Sequence, residues 1–534
     1  MKIKHNEDQQ QLAPVLIITG TDTSNTDSAL FSPEHIGFKA HNLARMAALN
    51  LPVPPAFVLP TVWTAQREKL NSEVWQEALN NLEKVSGARF GDPRRPLLLS
   101  VRSGAPVSMP GMMETLLNIG LCDESLPGLL RLTGNPRLVW DAYRRLVASF
   151  GEVVLGLDSQ VFESDLSQIA SGRDERELDF TELRALTQAH LASVQRVTGR
   201  AFPQDPYDQL EQAISAVFAS WGATKALDYR RLNDLSDSMG TAVTVQQMVF
   251  GNAGGTSGAG VGFTRHPSTG EPQPWIDFLF NAQGEDVVSG RRSAHGHEQL
   301  ADVMPTVWAE LLGAVTQLEQ AFQDMQDFEF TVENGRLWLL QTRHGKRTVQ
   351  AQVRIALDLL DEGVIDREQA QSRLSGVKEA DLALEYVVAE GEDVEANPVA
   401  WAISAAHGVA IGEIALDEEQ ARRCHETGKP VILVRQDAET RDIVALEIAN
   451  GLLTARGART SHAAVVARQL AKVCLVACNE LHIDREGRKI RFANEEFIEG
   501  QVITLDGHTG AIYAGAVSTV REIPADLLER LLAI

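Results

Sequence analysis

The sequence predicts a multidomain chain of α/β and α+β type, on three observations. Its 534 residues exceed what one ordinary core serves, which favours two to four domains, each burying its own interior. From the start to about Arg347, strands, glycine-rich turns and amphipathic helices alternate, the run from Trp140 to Val154 being one such helix. Beyond Pro398, VAIGEIAL, PVILVRQ, GLLTA and KVCLVAC read as short strands separated by helices, up to about Gly515.

Between these regions the periodicity becomes helical, with Val353, Ile355, Leu357, Leu359 and Leu360 ahead of the acidic stretch AEGEDVEANP. The expected organisation is a first domain over 1–347, a helical linker over 348–397, a second domain over 398–517 and a C-terminal helix over 518–534. No fixed-period repeat or low-complexity tract interrupts it, which disfavours solenoids and disordered scaffolds.

The net charge of -23 is spread without a basic block, which argues against nucleic acid or an anionic membrane as partner. Phosphate ligands therefore need local basic residues. Cys122, Cys424, Cys474 and Cys478 lack CxxC spacing and read as buried thiols of a reducing compartment. The start, MKIKHNEDQQQLAP, has no signal-like apolar core, and no later run suits a bilayer span. The chain reads as soluble and cytoplasmic.

In TARGARTSHAAVVARQLAK, Thr460 or Ser461 is a good N-cap for the alanine- and valine-rich run that follows, so His462 is expected in a helix's first turn. Unpaired backbone N–H groups and the helix dipole there stabilise a phosphohistidine and favour a neutral, nucleophilic imidazole. Arg456 and Arg459 are placed to clamp the transferring oxygens. A lone histidine more often only packs or caps a helix.

In DFEFTVENGRLWLLQTR, Phe328, Phe330 and Val332 alternate with Asp327, Glu329 and Thr331, and Asn334-Gly335 marks a turn. A three-residue loop of Asn334, Gly335 and Arg336 pairs Asp327 with Arg343 and Glu329 with Gln341, whereas a two-residue loop sets Glu329 against Leu340. Polarity favours the first. Two carboxylates, an amide and an arginine on one face suit Mg2+ with a triphosphate; a solvated hairpin face fits the same pattern. Arg102 is expected at the end of an apolar strand, Leu97 to Val101, ahead of a glycine-containing loop. GNAGGTSGAGVGFTR reads as a glycine-rich loop suited to covering phosphates.

The string GLLTARGARTSHAAVVAR resembles the phosphohistidine segment of the pyruvate, phosphate dikinase family, among the phosphoenolpyruvate-utilising enzymes. GFKAHNLARMAALNLPVPPAFVLPT, LLLSVRSGAPVSMPGMMETLLNIGL, TAVTVQQMVFGNAGGTSGAGVGFTRHPSTGE, NAQGEDVVSGRR and DFEFTVENGRLWLLQTRHGKRT resemble it too, in family order. The resemblance implies an ATP-grasp-like nucleotide-binding domain followed by a swivelling phosphohistidine domain. It carries phosphate roles to Lys39, Arg102 and Arg343, and metal roles to Asp327, Glu329 and Gln341. Adenine contacts fall on Gln246 and Met248, and a ribose contact on Glu285.

By that resemblance, ATP pyrophosphorylates His462, inorganic phosphate or water removes the terminal phosphoryl, AMP leaves, and the phosphohistidine serves an acceptor. The family's C-terminal barrel finds no match here, so pyruvate or phosphoenolpyruvate is expected on a separate acceptor protein; a homodimer is one open state of assembly. The alternatives are a phosphotransferase for a non-pyruvate small molecule and a non-catalytic ATP-binding regulatory subunit.

The chain also departs from the family. GGKGANL is GFKAHNL here, SGARVSMPG is SGAPVSMPG with Pro106, and RGGMTSH is RGARTSH with Ala458 and Arg459. Each change touches a loop expected near phosphate, so substrate affinity or the inorganic-phosphate step is expected to differ. AISAAHGVAIGE replaces a proline and glycine signature, and its His407 reads as a surface-loop residue. Thr460 matches a threonine that some dikinases phosphorylate for regulation, and serves equally as a helix cap.

Overall fold

The chain's apolar runs form three large sheets, beside three small ones among the described residues, in the computed structural model. It describes residues 15–17 and 30–534, except 108, 110, 111, 174, 289–297, 389–396, 438–441, 460, 461 and 494. Side chains at 15–17, 69, 176, 232, 285, 443, 462, 463 and 469 also lie outside the description. Contacts divide the chain into Met1–Gly254 with Trp338–Thr342, and Gly255–Leu337 with Arg343–Ile534.

In the first unit the elements used below are β1 (Val15–Ile17), α1 (Pro33–Ala48), β2 (Ala56–Leu59), β3 (Leu99–Gly104), β4 (Thr115–Ile119), α2 (Pro136–Val153), α3 (Phe180–Thr198) and β5 (Ala242–Gln247), among further helices and strands. The five strands form one antiparallel sheet in the order β1-β2-β5-β3-β4. Helix α2 confirms the amphipathic reading: Leu138, Ala142, Leu146 and Phe150 are buried on one face, at the spacing of a 3.6-residue turn. Asn135 caps it, its side chain accepting from Leu138 N at 3.1 Å. These side chains join Phe57, Leu99, Val101 and Val245 in the core, where each fully buried Leu or Phe contributes about 1.5–3 kcal/mol.

The next sheet is built from β6 (Gly258–Phe263), β7 (Trp275–Phe280), β8 (Gln326–Glu333) and β9 (Arg336–His344), in the order β9-β8-β6-β7, with Trp338–Thr342 of β9 grouped in the first unit. Helices α4 (Gly284–Val288) and α5 (Pro305–Phe322) lie between β7 and β8 in sequence. Strands β8 and β9 are joined by two residues, Asn334 and Gly335, at φ 50° and 76°. This corrects the expected three-residue loop: with both residues left-handed, the turn matches the strands' twist without a third.

The second half of the glycine-rich run is strand, Gly258–Phe263, while 251–257 is the loop ahead of it. A Cβ on Gly260 would lie 2.3 Å from the Phe330 ring, and one on Gly262 2.8 Å from Ile276 and Phe328. Glycine stands there because large rings of the adjacent strands cross the sheet surface.

The linker region carries α6 (Val349–Asp361) and α7 (Arg367–Leu374). Arg265, just after β6, fastens α6 and α5 to the sheet, donating to Glu319 at 2.8 Å, Asp358 at 3.1 Å and Glu362 at 2.9 Å. Then follow β10 (Ala400–Trp401), β11 (Ile403–Ala406), β12 (Val409–Ala415), β13 (Val431–Arg435), β14 (Gly451–Thr454), α8 (His462–Gln469), β15 (Val473–Val476), β16 (Val502–Asp506), β17 (Ala511–Ala514) and α9 (Ala525–Leu532). The eight strands form a mixed sheet, β10-β17-β16-β12-β13-β14-β15-β11, whose β12 to β15 run parallel.

All four cysteines are free and buried, as expected. Among the described residues no helix is long and apolar enough to cross a membrane.

Candidate functional site

In the first unit, Gly37 bends α1 at φ 77°, and a Cβ there would lie 2.0 Å from Gly104 O. Only glycine admits this approach, which sets Phe38 N against Ala105 O at 2.8 Å. Lys39 is thereby brought beside the end of β3, its Cβ 3.8 Å from where a Cβ on Gly104 would stand. Arg102 lies inside β3, opposite Thr244 and Thr115, rather than at the strand's end. The strand runs on to Gly104 because that stretch still pairs with Ala242 and Val243.

Gln246 is buried in β5 and its Nε2 donates to Pro54 O at 3.0 Å. Met248 follows, its N–H donating to Leu98 O at 2.9 Å and its side chain packed against the core. Gln341 is buried on the part of β9 that groups with the first unit.

In the second unit, Arg343 Nε donates to Asp327 Oδ2 at 2.8 Å, the pairing the hairpin reading expected. Burial pushes the Asp327 carboxyl up, against the pull of Arg343. Arg343's own pKa is raised, because Asp327 and Glu329 outweigh its burial. Register places Asp327 opposite Phe263 and Trp275, and Glu329 opposite Val261 and Asp277. These two cross-strand rows share one sheet face. Glu285 is on α4, and its side chain lies outside the described residues.

Two carboxylates on one face, with Asp327 buried and under the like charge of Glu329, fit a hard divalent cation. Among the described residues no group of three or more His, Cys, Asp or Glu gathers for a metal. Two carboxylates suit an ion that keeps water and phosphate oxygens as further ligands, as Mg2+ does.

Helix α8 begins at His462, while Thr460, Ser461 and the His462 side chain lie outside the described residues. Arg459 is not held as a phosphate clamp. Its Nε donates to Asp277 Oδ1 at 2.6 Å, its Nη2 to Ile276 O at 2.9 Å, and its guanidinium lies 4.7 Å from the Trp275 ring centre. Asp277 is 1% exposed, and a carboxylate so buried draws in a cation. Arg456 is exposed.

The sequence reading missed Arg468, Phe263, Trp275 and Asp277. Arg468, on α8, is buried with its guanidinium 5.0 Å from the Phe263 ring and 4.9 Å from Trp275, and donates to Arg459 O at 3.2 Å. Burial pulls its pKa down to about 10. An arginine six residues beyond the histidine was the available signal, but nothing local said which rings it would meet.

His407 is also corrected: it is half-buried, its ring tilted against those of His266 at 5.1 Å and His508 at 5.2 Å. His266 Nδ1 accepts from Ser268 N at 3.2 Å and Thr269 N at 3.3 Å, which requires a neutral ring. Burial, with the neighbouring cationic side chains and imidazoles, lowers His266 to about 3 and His407 to about 4. Both lie below the unfolded value of about 6.5, so the stability they contribute is complete above pH 6.5 and lost as pH falls towards 4. From pH 7 to 5.5 the loss is expected to be about 1 kcal/mol for each histidine. His407→Gln should remove its share, and urea midpoints across that range check it; an unchanged pH slope would refute the assignment.

Residues 66–299 and 298–363 match the pyruvate phosphate dikinase AMP/ATP-binding domain, and 427–510 match the mobile domain of PEP-utilising enzymes. The chain is similar to pyruvate, phosphate dikinase of Clostridium symbiosum, 41% identical over 93% of this chain and 58% of the relative. That of Rhizobium meliloti (strain 1021) is 41% identical over 91% and 56%. That of Giardia intestinalis is 42% identical over 93% and 58%. The chain therefore spans less than two thirds of the length of these relatives.

Proposed function

Because the chain belongs to the pyruvate, phosphate dikinase family, we propose that it is an ATP-dependent phosphotransferase whose carrier is His462. The observation that best supports this is positional. The helix that opens at His462 is held, through Arg459 and Arg468, on the sheet face bearing Asp327 and Glu329.

In this reading an imidazole nitrogen of His462 attacks the β-phosphorus of ATP and the bond to the α,β-bridging oxygen breaks, releasing AMP. Phosphate or water then takes the terminal phosphoryl, leaving phosphohistidine. Lys39, Arg102 and Arg343 bind phosphoryl oxygens and offset the charge that develops. Gln246 and Met248 line the base, and Glu285 the ribose. Asp327, Glu329 and Gln341 would hold Mg2+, which supplies charge neutralisation on the phosphates.

The domain arrangement we infer is a nucleotide-binding domain over 1–347, a linker over 348–397, a swivelling carrier domain over 398–517 and a terminal segment over 518–534, in which a short strand, Thr519–Glu522, precedes α9. We place the chain in the cytoplasm and the acceptor, pyruvate or another small molecule, on a separate protein.

Incubation with ATP labelled at the β- or the γ-phosphate tests the reading. The β-label is expected on protein in acid-labile, alkali-stable form, and the γ-label is expected to leave as pyrophosphate or phosphate. Absence of β-label would sink the carrier role. Pyruvate added to the loaded chain alone is expected to yield no phosphoenolpyruvate; its formation would overturn the separate acceptor.

A further inference from the structure

The residues immediately before His462 do more than lead into its helix. Ala458 is buried in a small apolar cluster with Ala259, Val261, Leu279, Ala282 and Val287. Its cluster partners all come from β6, β7, α4 and the turn between β7 and α4. Arg459 follows with its ion pair to Asp277, 182 positions away in sequence, and its stack on Trp275. Arg468 closes the arrangement from the far end of α8, lying over Phe263 and Trp275.

Among the described residues, the two apolar cores of the eight-stranded domain include no residue of β6 or β7. The small cluster around Val261 takes only Ala458 from that domain. Among the described residues, what joins α8 and the residues just before it to β6 and β7 is one methyl group, a buried ion pair, a hydrogen bond to Ile276 O and three arginine–ring contacts. Such a joint is specific in geometry and, without a broad apolar face, separable.

We propose that Ala458 and Arg459 are positioning residues, a latch fastening the helix that begins at His462 to β6 and β7. This latch sets how fast His462 is loaded, not how tightly nucleotide binds. The proposal rests on His462 being the phosphoryl acceptor. These two positions are also where RGARTSH differs from RGGMTSH. A methionine cannot form the Asp277 pair, and a glycine has no methyl to bury, so the latch is a property of this chain's own sequence.

The test uses the full chain and Arg459→Met, with Arg459→Lys and Ala458→Gly beside it. In single turnovers at saturating β-labelled ATP, Arg459→Met is expected to load His462 about tenfold more slowly, a modest charge-pair effect. Binding of α,β-methylene-ATP should stay within about twofold, because no nucleotide contact is removed. Lysine keeps the charge but not the fork and should restore part of the rate.

Deuterium uptake should rise together over Trp275–Phe280 and His462–Gln469 in Arg459→Met. An unchanged loading rate, or a loss confined to nucleotide affinity, overturns the latch. Should the wild type take up no label, the carrier reading fails on its own; the exchange arm then decides the latch, and unchanged uptake overturns it.

Discussion

His462→Ala is expected to take up no acid-labile phosphate from β-labelled ATP and to form AMP at a rate lowered about 10⁴-fold or more, since the covalent route loses its nucleophile. A nearby hydroxyl or water cannot substitute. The attacking atom must stand in line with the breaking bond, and misplacement by about 1 Å alone costs about 10²-fold. His425 serves as the control: it lies exposed on the helix Glu418–Glu426, and His425→Gln should label like wild type. Label on His462→Ala equal to wild type would place the acceptor elsewhere. Loss in both variants would point to a general defect of the eight-stranded domain.

The parts of this arrangement that were legible in the sequence are those set by local chemistry. The strands β12 to β15 and helix α2 follow from apolar periodicity, and the turn at Asn334 and Gly335 from residues that accept positive φ. The Asp327–Arg343 pair was also readable, although the turn proved one residue shorter than the reading that suggested it. Contacts between distant segments were not legible. Nothing around Arg459 distinguishes a phosphate clamp from a partner for a buried Asp277, because the choice depends on a strand far away in sequence. His407 reads as a loop residue for the same reason, its ring contacts being contributed by His266 and His508. The glycines of β6 misled in the opposite direction: their spacing suggested a flexible loop, whereas rings of the adjacent strands require them.

Arg343→Met is expected to lower the loading rate about 10²- to 10³-fold, the scale of removing one preorganised donor from a developing charge. The arginine has two tasks here. It neutralises Asp327, which is buried beside the like charge of Glu329, and in the proposed chemistry it grips phosphoryl oxygens. Methionine fills a similar volume and performs neither task, so two carboxylates are left facing an incoming polyanion. Arg343→Lys separates the tasks. A point charge still offsets Asp327 but cannot form two parallel hydrogen bonds, so lysine should recover Mg-nucleotide binding more fully than the transfer rate. Single-turnover labelling beside equilibrium binding of α,β-methylene-ATP measures both quantities. Equal recovery of rate and binding by lysine would show that charge alone matters at this position. A methionine variant that loads at the wild-type rate would remove Arg343 from the transfer chemistry and leave the Asp327 pair as a feature of the hairpin.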